Sequence, residues 1–190
     1  MFQGHNLRSA DKFKFVLNLG WCQNFSLDFG FGSGRENIYL GKASIRVLVV
    51  DDYEPWRRFF SSTLQKEREL QVIGEASDGL EAVQKAEELQ PDLILLDIGL
   101  PTLNGIDAAR RIRAVSPASK ILFVSENRSV GIAEEALKGG AGGYILKSDA
   151  AGELLPALKA VLDGKRFVGA SLAGHGLNDP PNPYRCSSST

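Results

Sequence analysis

From Ser44 onward the chain alternates short apolar runs with stretches whose apolar residues recur every three to four positions, the texture of an α/β domain on a parallel sheet. Strands are predicted over 45–50, 71–76, 93–96, 120–124 and 143–146, and helices over 54–66, 79–89, 105–115, 130–138 and 151–162. Three strands, reading VLVV, LILL and ILFV, are unbroken apolar runs, as expected of strands buried on both faces. The second, QVIGEA, and the fifth, GGYILK, mix in polar residues or glycine, which assigns them to the sheet edges. Right-handed crossovers then favour the order 2-1-3-4-5, a doubly wound, five-stranded sheet. In such a sheet the functional crevice lies outside the carboxyl ends of the strands, where the topology reverses between strands one and three.

The flanks lack this texture. Residues 1–43 scatter Phe2, Phe13, Phe15, Phe25, Phe29 and Phe31 among Gly, Asn and Ser without a period, and are expected to be a poorly ordered extension or the product of an upstream start codon. Residues 165–190, with Pro180, Pro181, Pro183 and a terminal run of Ser187, Ser188, Ser189 and Thr190, are expected to be a linker remnant and disordered tail. The domain is thus expected over 44–164.

Composition narrows the class. At 43% hydrophobic and 24% charged residues the chain matches an average soluble globular protein. With 22 basic and 23 acidic residues it has no global footprint for nucleic acid or an anionic membrane. Cys22 and Cys186, one in each flank, form no spaced framework for disulfides or zinc. The early apolar run around Phe15 is broken by Asn18, too short for a signal sequence, and no run approaches a membrane span. These features predict a soluble protein of the reducing cytoplasm.

The strand ends carry the chemistry. Asp51 and Asp52 follow strand one directly and Asp97 follows strand three. Because neighbouring strands lie about 4.8 Å apart, the three acids should converge at one mouth, where their mutual repulsion calls for a cation. Oxygen ligands with open positions suit Mg²⁺, which keeps waters and joins a phosphate. Ser125 ends strand four and Lys147 ends strand five, supplying the hydroxyl and ammonium that a phosphoryl group needs.

Together, VLVVDD, LILLDIGLPTLNG, ILFVS and GGYILKS resemble the motifs of bacterial response-regulator receiver domains, over about residues 43–173. The stretches GLEAVQKAEELQPDLILLDIGLP and ELLPALKAVLDGKRFVGASLAG are similar to receivers of LuxR-type transcription regulators. The resemblance implies a flavodoxin-like fold and a phosphoryl group accepted on Asp97 from a histidine kinase or phosphotransfer protein. It implies Mg²⁺ held by Asp51, Asp52, Asp97 and the carbonyl of Gly99, with Ser125 as switch hydroxyl, Lys147 as phosphate contact and Tyr144 as switch aromatic. It further implies a switch that catalyses only its own phosphorylation and dephosphorylation, and a homodimer through helix four, strand five and helix five. Neither nucleic acid nor membrane is expected as a partner of this chain alone.

Three positions depart from the family pattern. Glu126 follows Ser125 where many receivers carry a small residue, an arrangement that would narrow or repel access to the acceptor; Ser148 stands where many have proline; and fewer than thirty residues follow Leu162, too few for a helix-turn-helix module. Two outputs are therefore open: a stand-alone receiver that signals by protein contact or drains phosphate from a kinase, or the receiver part of a LuxR-type DNA-binding regulator parted from its output domain. A flavodoxin-like flavin-binding protein is the distant alternative. It is disfavoured because the loop DDYEPW lacks the Gly, Ser and Thr that cradle phosphate.

Overall fold

The computed structural model describes residues 44–173, so the expected extension at 1–43, the tail from Gly174 and both cysteines lie outside the described residues. Six strands and six helices follow one another: β1 Ile45–Val50, α1 Glu54–Leu64, β2 Leu70–Ala76, α2 Gly79–Leu89, β3 Leu93–Leu96, α3 Gly105–Val115, β4 Lys120–Ser125, α4 Val130–Lys138, β5 Gly143–Leu146, α5 Ala150–Leu162, β6 Phe167–Val168 and α6 Ala170–Ala173. All strand pairs are parallel.

Side chains on a strand point alternately to its two faces, and the core divides accordingly. Leu48, Val50, Ile94, Leu96, Ile121, Phe123 and Tyr144 face one side with residues of α2, α3 and α4. Val47, Val49, Leu93, Leu95, Leu122, Val124 and Ile145 face the other with α1 and α5. Helices cover both faces, which is why the central strands read as unbroken apolar runs. Each fully buried Leu, Ile or Phe contributes roughly 1.5–3 kcal/mol.

The strand order is 2-1-3-4-5-6, which corrects the expected five-stranded sheet. Phe167–Val168, expected in a linker, pairs beside β5, with backbone bonds from Phe167 N–H to the Gly142 carbonyl (3.0 Å) and from Gly169 N–H to the Tyr144 carbonyl (2.9 Å). Two residues are too few to display a period. The assignment of strand five to an edge is corrected with it: all four β5 residues are buried, and the glycine there admits β6 rather than solvent. β2 is an edge strand, as its mixed sequence implies. α6 then lays Leu172 into the α4-side core with Val168. α5 fixes this strap, since Glu153 Oε1 accepts from Ala170 N–H at 2.8 Å.

Candidate functional site

The backbone ladder itself brings the acids together. Asp51 N–H donates to the Ala76 carbonyl (3.1 Å) and Asp97 N–H to the Val50 carbonyl (2.9 Å), so each acid is the next rung beyond its strand. Ligand oxygens of Asp51, Asp52 and Asp97 all lie within 4.8 Å of one another. Asp51 is fully buried and Asp97 is 6% exposed, whereas Asp52 stands in solvent.

Lys147, also buried, reaches in from the end of β5 and places Nζ 2.7 Å from Asp51 Oδ2 and 3.0 Å from Asp97 Oδ2. The other oxygens are held by the backbone: Tyr53 N–H donates to Asp51 Oδ1 (3.0 Å) and Ile98 N–H to Asp97 Oδ1 (2.7 Å). Asp51 Oδ2 meets the ammonium at ion-pair distance yet takes no directed hydrogen bond. Burial pushes the Asp51 carboxyl above its ordinary range, an effect only partly offset by Lys147. Burial also works against the Lys147 charge, but the two carboxylates outweigh it and raise its pKa, so at neutral pH it is a cation.

Ser125, buried at the end of β4, accepts on Oγ from Asn127 N–H (3.3 Å). Tyr144 is fully buried, and its hydroxyl donates to the Asn127 carbonyl at 2.7 Å. Burial, reinforced by the charge of Asp97, pushes its phenol up to about 12. Gly99 is exposed and lines the same opening, a cavity of about 570 Å³ that also involves Asp52, Trp56, Asp97, Ser125, Glu126 and Lys147. All seven residues expected at the site are thus at or beside one mouth. Tyr144 approaches it from below, through Asn127.

Four contributors escape sequence reasoning. Trp56, in the first turn of α1, places its ring 5.7 Å from Lys147 Nζ, within cation–π range. Arg57 donates to the carbonyls of Asp51 (2.8 Å) and Asp52 (3.1 Å), bracing the turn that carries both acids. Asn127 links Ser125 to Tyr144. Gly105 backs directly onto Asp97, where a Cβ would collide with the Asp97 carbonyl. The one available signal was position: Trp56 and Arg57 follow the acid pair within a helical turn, and Gly105 ends the LPTLNG loop.

A doubly wound sheet with buried acids and a lysine gathered at the carboxyl ends of its strands defines an α/β domain with an acidic mouth. Comparison with known proteins makes this specific. Residues 47–159 match the model of the response regulator receiver domain, more than half of the chain. The chain belongs to the response-regulator receiver family.

Among curated proteins it is 35% identical to the transcriptional regulatory protein LnrK of Bacillus subtilis, over 71% of this chain and 61% of that protein. It is 34% identical to the response regulator GacA of Pseudomonas viridiflava, over 68% of this chain and 60% of the relative. The chain therefore spans about three fifths of the length of these relatives. A LuxR-family two-component response regulator from Aurantimonas sp. SI85-9A1 superposes with a TM-score of 0.66 at 32% identity, covering 70% of this chain and 94% of that one. The response regulator domain of Thermotoga maritima CheB gives 0.59 at 37% identity, over 63% and 97%. Among the described residues no helix is long and apolar enough to cross a membrane.

Proposed function

We propose that Asp97 accepts a phosphoryl group from a histidine kinase or phosphotransfer protein, and that the chain is a two-component switch whose only catalysis is its own phosphorylation and dephosphorylation. The observation that carries this reading is the Lys147 ammonium shared between Asp51 and Asp97 at 2.7 and 3.0 Å, next to an open cavity. A cation so placed offsets charge on transferred oxygens beside the attacking carboxylate.

The residues also fit a divalent cation, because three converging carboxylates have one ammonium among them and Asp51 Oδ2 lacks a directed donor. Asp51, Asp52, Asp97 and the Gly99 carbonyl would hold Mg²⁺. When bound, the ion neutralises charge on the phosphoryl oxygens. The chain's own residues do the rest. Ile98 N–H fixes one Asp97 oxygen and so orients the carboxylate, and the Ser125 hydroxyl stands ready to donate to a phosphoryl oxygen.

Phosphorylation would draw Ser125 toward Asp97, turn the Lys147 ammonium already there onto the phosphoryl oxygens, and disturb Asn127, through which the buried Tyr144 hydroxyl is held. A reversal from 1:99 to 99:1 requires about 5.5 kcal/mol of differential stabilisation. Two or three charge-assisted hydrogen bonds at roughly 1.5–3 kcal/mol each supply it. The output face comprises α4, β5 and α5 together with β6 and α6, which cover the outer edge of β5 and so belong to any dimer formed there. The relative LnrK is a transcriptional regulatory protein, which supports an output in transcription regulation.

The test is Mg²⁺-dependent phosphorylation by phosphoramidate, followed by intact mass. Wild type gains one phosphoryl group, and Asp97→Asn or excess EDTA prevents it. Undiminished incorporation in Asp97→Asn overturns the assignment.

A further inference from the structure

Glu126 lies on the lip of the acceptor cavity, immediately after the buried Ser125. It is exposed and, among the described residues, has neither an ion pair nor a hydrogen bond. Two other acids line the cavity, Asp52 and Asp97, and the one cation lining it is Lys147, already shared between Asp51 and Asp97. Arg128, two residues further on, neither lines the cavity nor pairs with Glu126. The guanidinium of Arg57 is taken up by the carbonyls of Asp51 and Asp52 and by Glu75 at 3.5 Å. The carboxylate of Glu126 is thus an uncompensated negative charge on the path to Asp97.

We propose that Glu126 is a specificity-determining residue that selects phosphodonors by charge, favouring nitrogen-borne phosphoryl groups of the phosphohistidine type over free acyl phosphates. This rests on Asp97 being the acceptor. In either reaction an Asp97 oxygen forms the new P–O bond. From an acyl phosphate, the electron pair of the broken P–O bond leaves with a carboxylate, so a dianionic donor enters and an anion must depart past Glu126. From a phosphoramidate, the pair of the broken P–N bond leaves with a nitrogen that bears or takes up a proton, so no anion departs. A donor presented by a protein partner has in addition remote contacts whose binding energy offsets repulsion at the reacting centre. A free acyl phosphate has none. The charge sits outside the ring of Asp51, Asp97 and Lys147, so it acts on approach and departure while leaving that ring in place.

The experiment compares initial rates of phosphorylation of wild type, Glu126→Gln and Glu126→Ala by acetyl phosphate and by phosphoramidate, at saturating Mg²⁺ and at low and high ionic strength. Glu126→Gln keeps the size of the side chain and removes its charge. The expected result is a gain of about fivefold with acetyl phosphate at low salt, the scale of one partly screened charge at close range. The gain with phosphoramidate should be clearly smaller, Glu126→Ala should match Glu126→Gln, and added salt should shrink the difference from wild type. An unchanged acetyl phosphate rate in Glu126→Gln overturns the filter. Equal gains with both donors overturn it too, as does a gain confined to Glu126→Ala, which would make Glu126 a steric obstacle. Absence of phosphorylation by both donors in all three proteins removes Asp97 as acceptor and the filter with it.

Discussion

Leu96 and Asp97 are consecutive residues of one strand line, both buried, and they obey opposite energetics. Leu96 and its neighbours in β1, β3 and β4 remove apolar surface from water and find complementary packing on both faces of the sheet. One step further on, Asp97 joins Asp51 and Lys147 in a buried group with more negative than positive charge, a strained arrangement where removal of water outweighs attraction for Asp51. The sheet body holds the fold, and its carboxyl rim spends part of that stability on a site poised for a cation and a phosphoryl group.

Breaking the body should have the largest effect. Phe123→Ala, in a fully packed central strand, is expected to destabilise by about 3–5 kcal/mol, measured by guanidinium denaturation, with the acids of the rim untouched. Gly105→Ala attacks the junction between body and rim. Its methyl group must displace the Asp97 peptide, so a loss of about 1–3 kcal/mol in the same assay should be accompanied by slower phosphorylation.

At the rim the sign reverses. The folded-state pKa of Asp51 is raised, so its charged form burdens the native state at neutral pH, and the burden fades as pH falls through that raised value. Asp51→Asn should therefore raise Tm by a few degrees in EDTA near neutrality, with the gain vanishing in acid, and should abolish the further rise that Mg²⁺ gives wild type. Scanning calorimetry with and without Mg²⁺ reads both.

The smallest effect lies where rim and body meet. Tyr144→Phe removes one buried hydrogen bond, worth about 1 kcal/mol. Because the folded phenol keeps its proton up to about 12, whereas an unfolded one loses it near its ordinary value of about 10, this residue favours folding below that range and the advantage disappears as pH rises through it. Ultraviolet titration of phenolate should lose a component near pH 12 in the variant.

The sequence displays the regular elements well because burial on both faces writes itself as VLVV, LILL and ILFV, and because Asp51, Asp97, Ser125 and Lys147 each stand where such a run stops. Helices α2, α3 and α4 fall on their expected bounds. α1 ends at Leu64 rather than at 66, since Lys66 N–H turns back only three residues, to the Thr63 carbonyl (3.3 Å), instead of continuing the four-residue ladder. What stayed hidden depends on tertiary approach. β6 is two residues long, Trp56 meets Lys147 from another element, and Asn127 acts through its backbone, which no side-chain pattern reports. In the sequence Gly105 is only the first residue of the helix expected over 105–115, and nothing there reports the Asp97 carbonyl packed against it.

The strap formed by β6 and α6 bears on where the domain can be cut. Along the outer side of β5 the carbonyls of Gly142 and Tyr144 accept from Phe167 N–H and Gly169 N–H of the strap, and these bonds exist only while the strap is present. A fragment ending at Leu162, the natural boundary if α5 is taken as the last element, would leave that side as a bare edge beside an apolar patch formerly covered by Val168 and Leu172. Such an edge is a template for intermolecular pairing. Solubility, rather than signalling alone, therefore ties residues 167–172 to the rest of the domain.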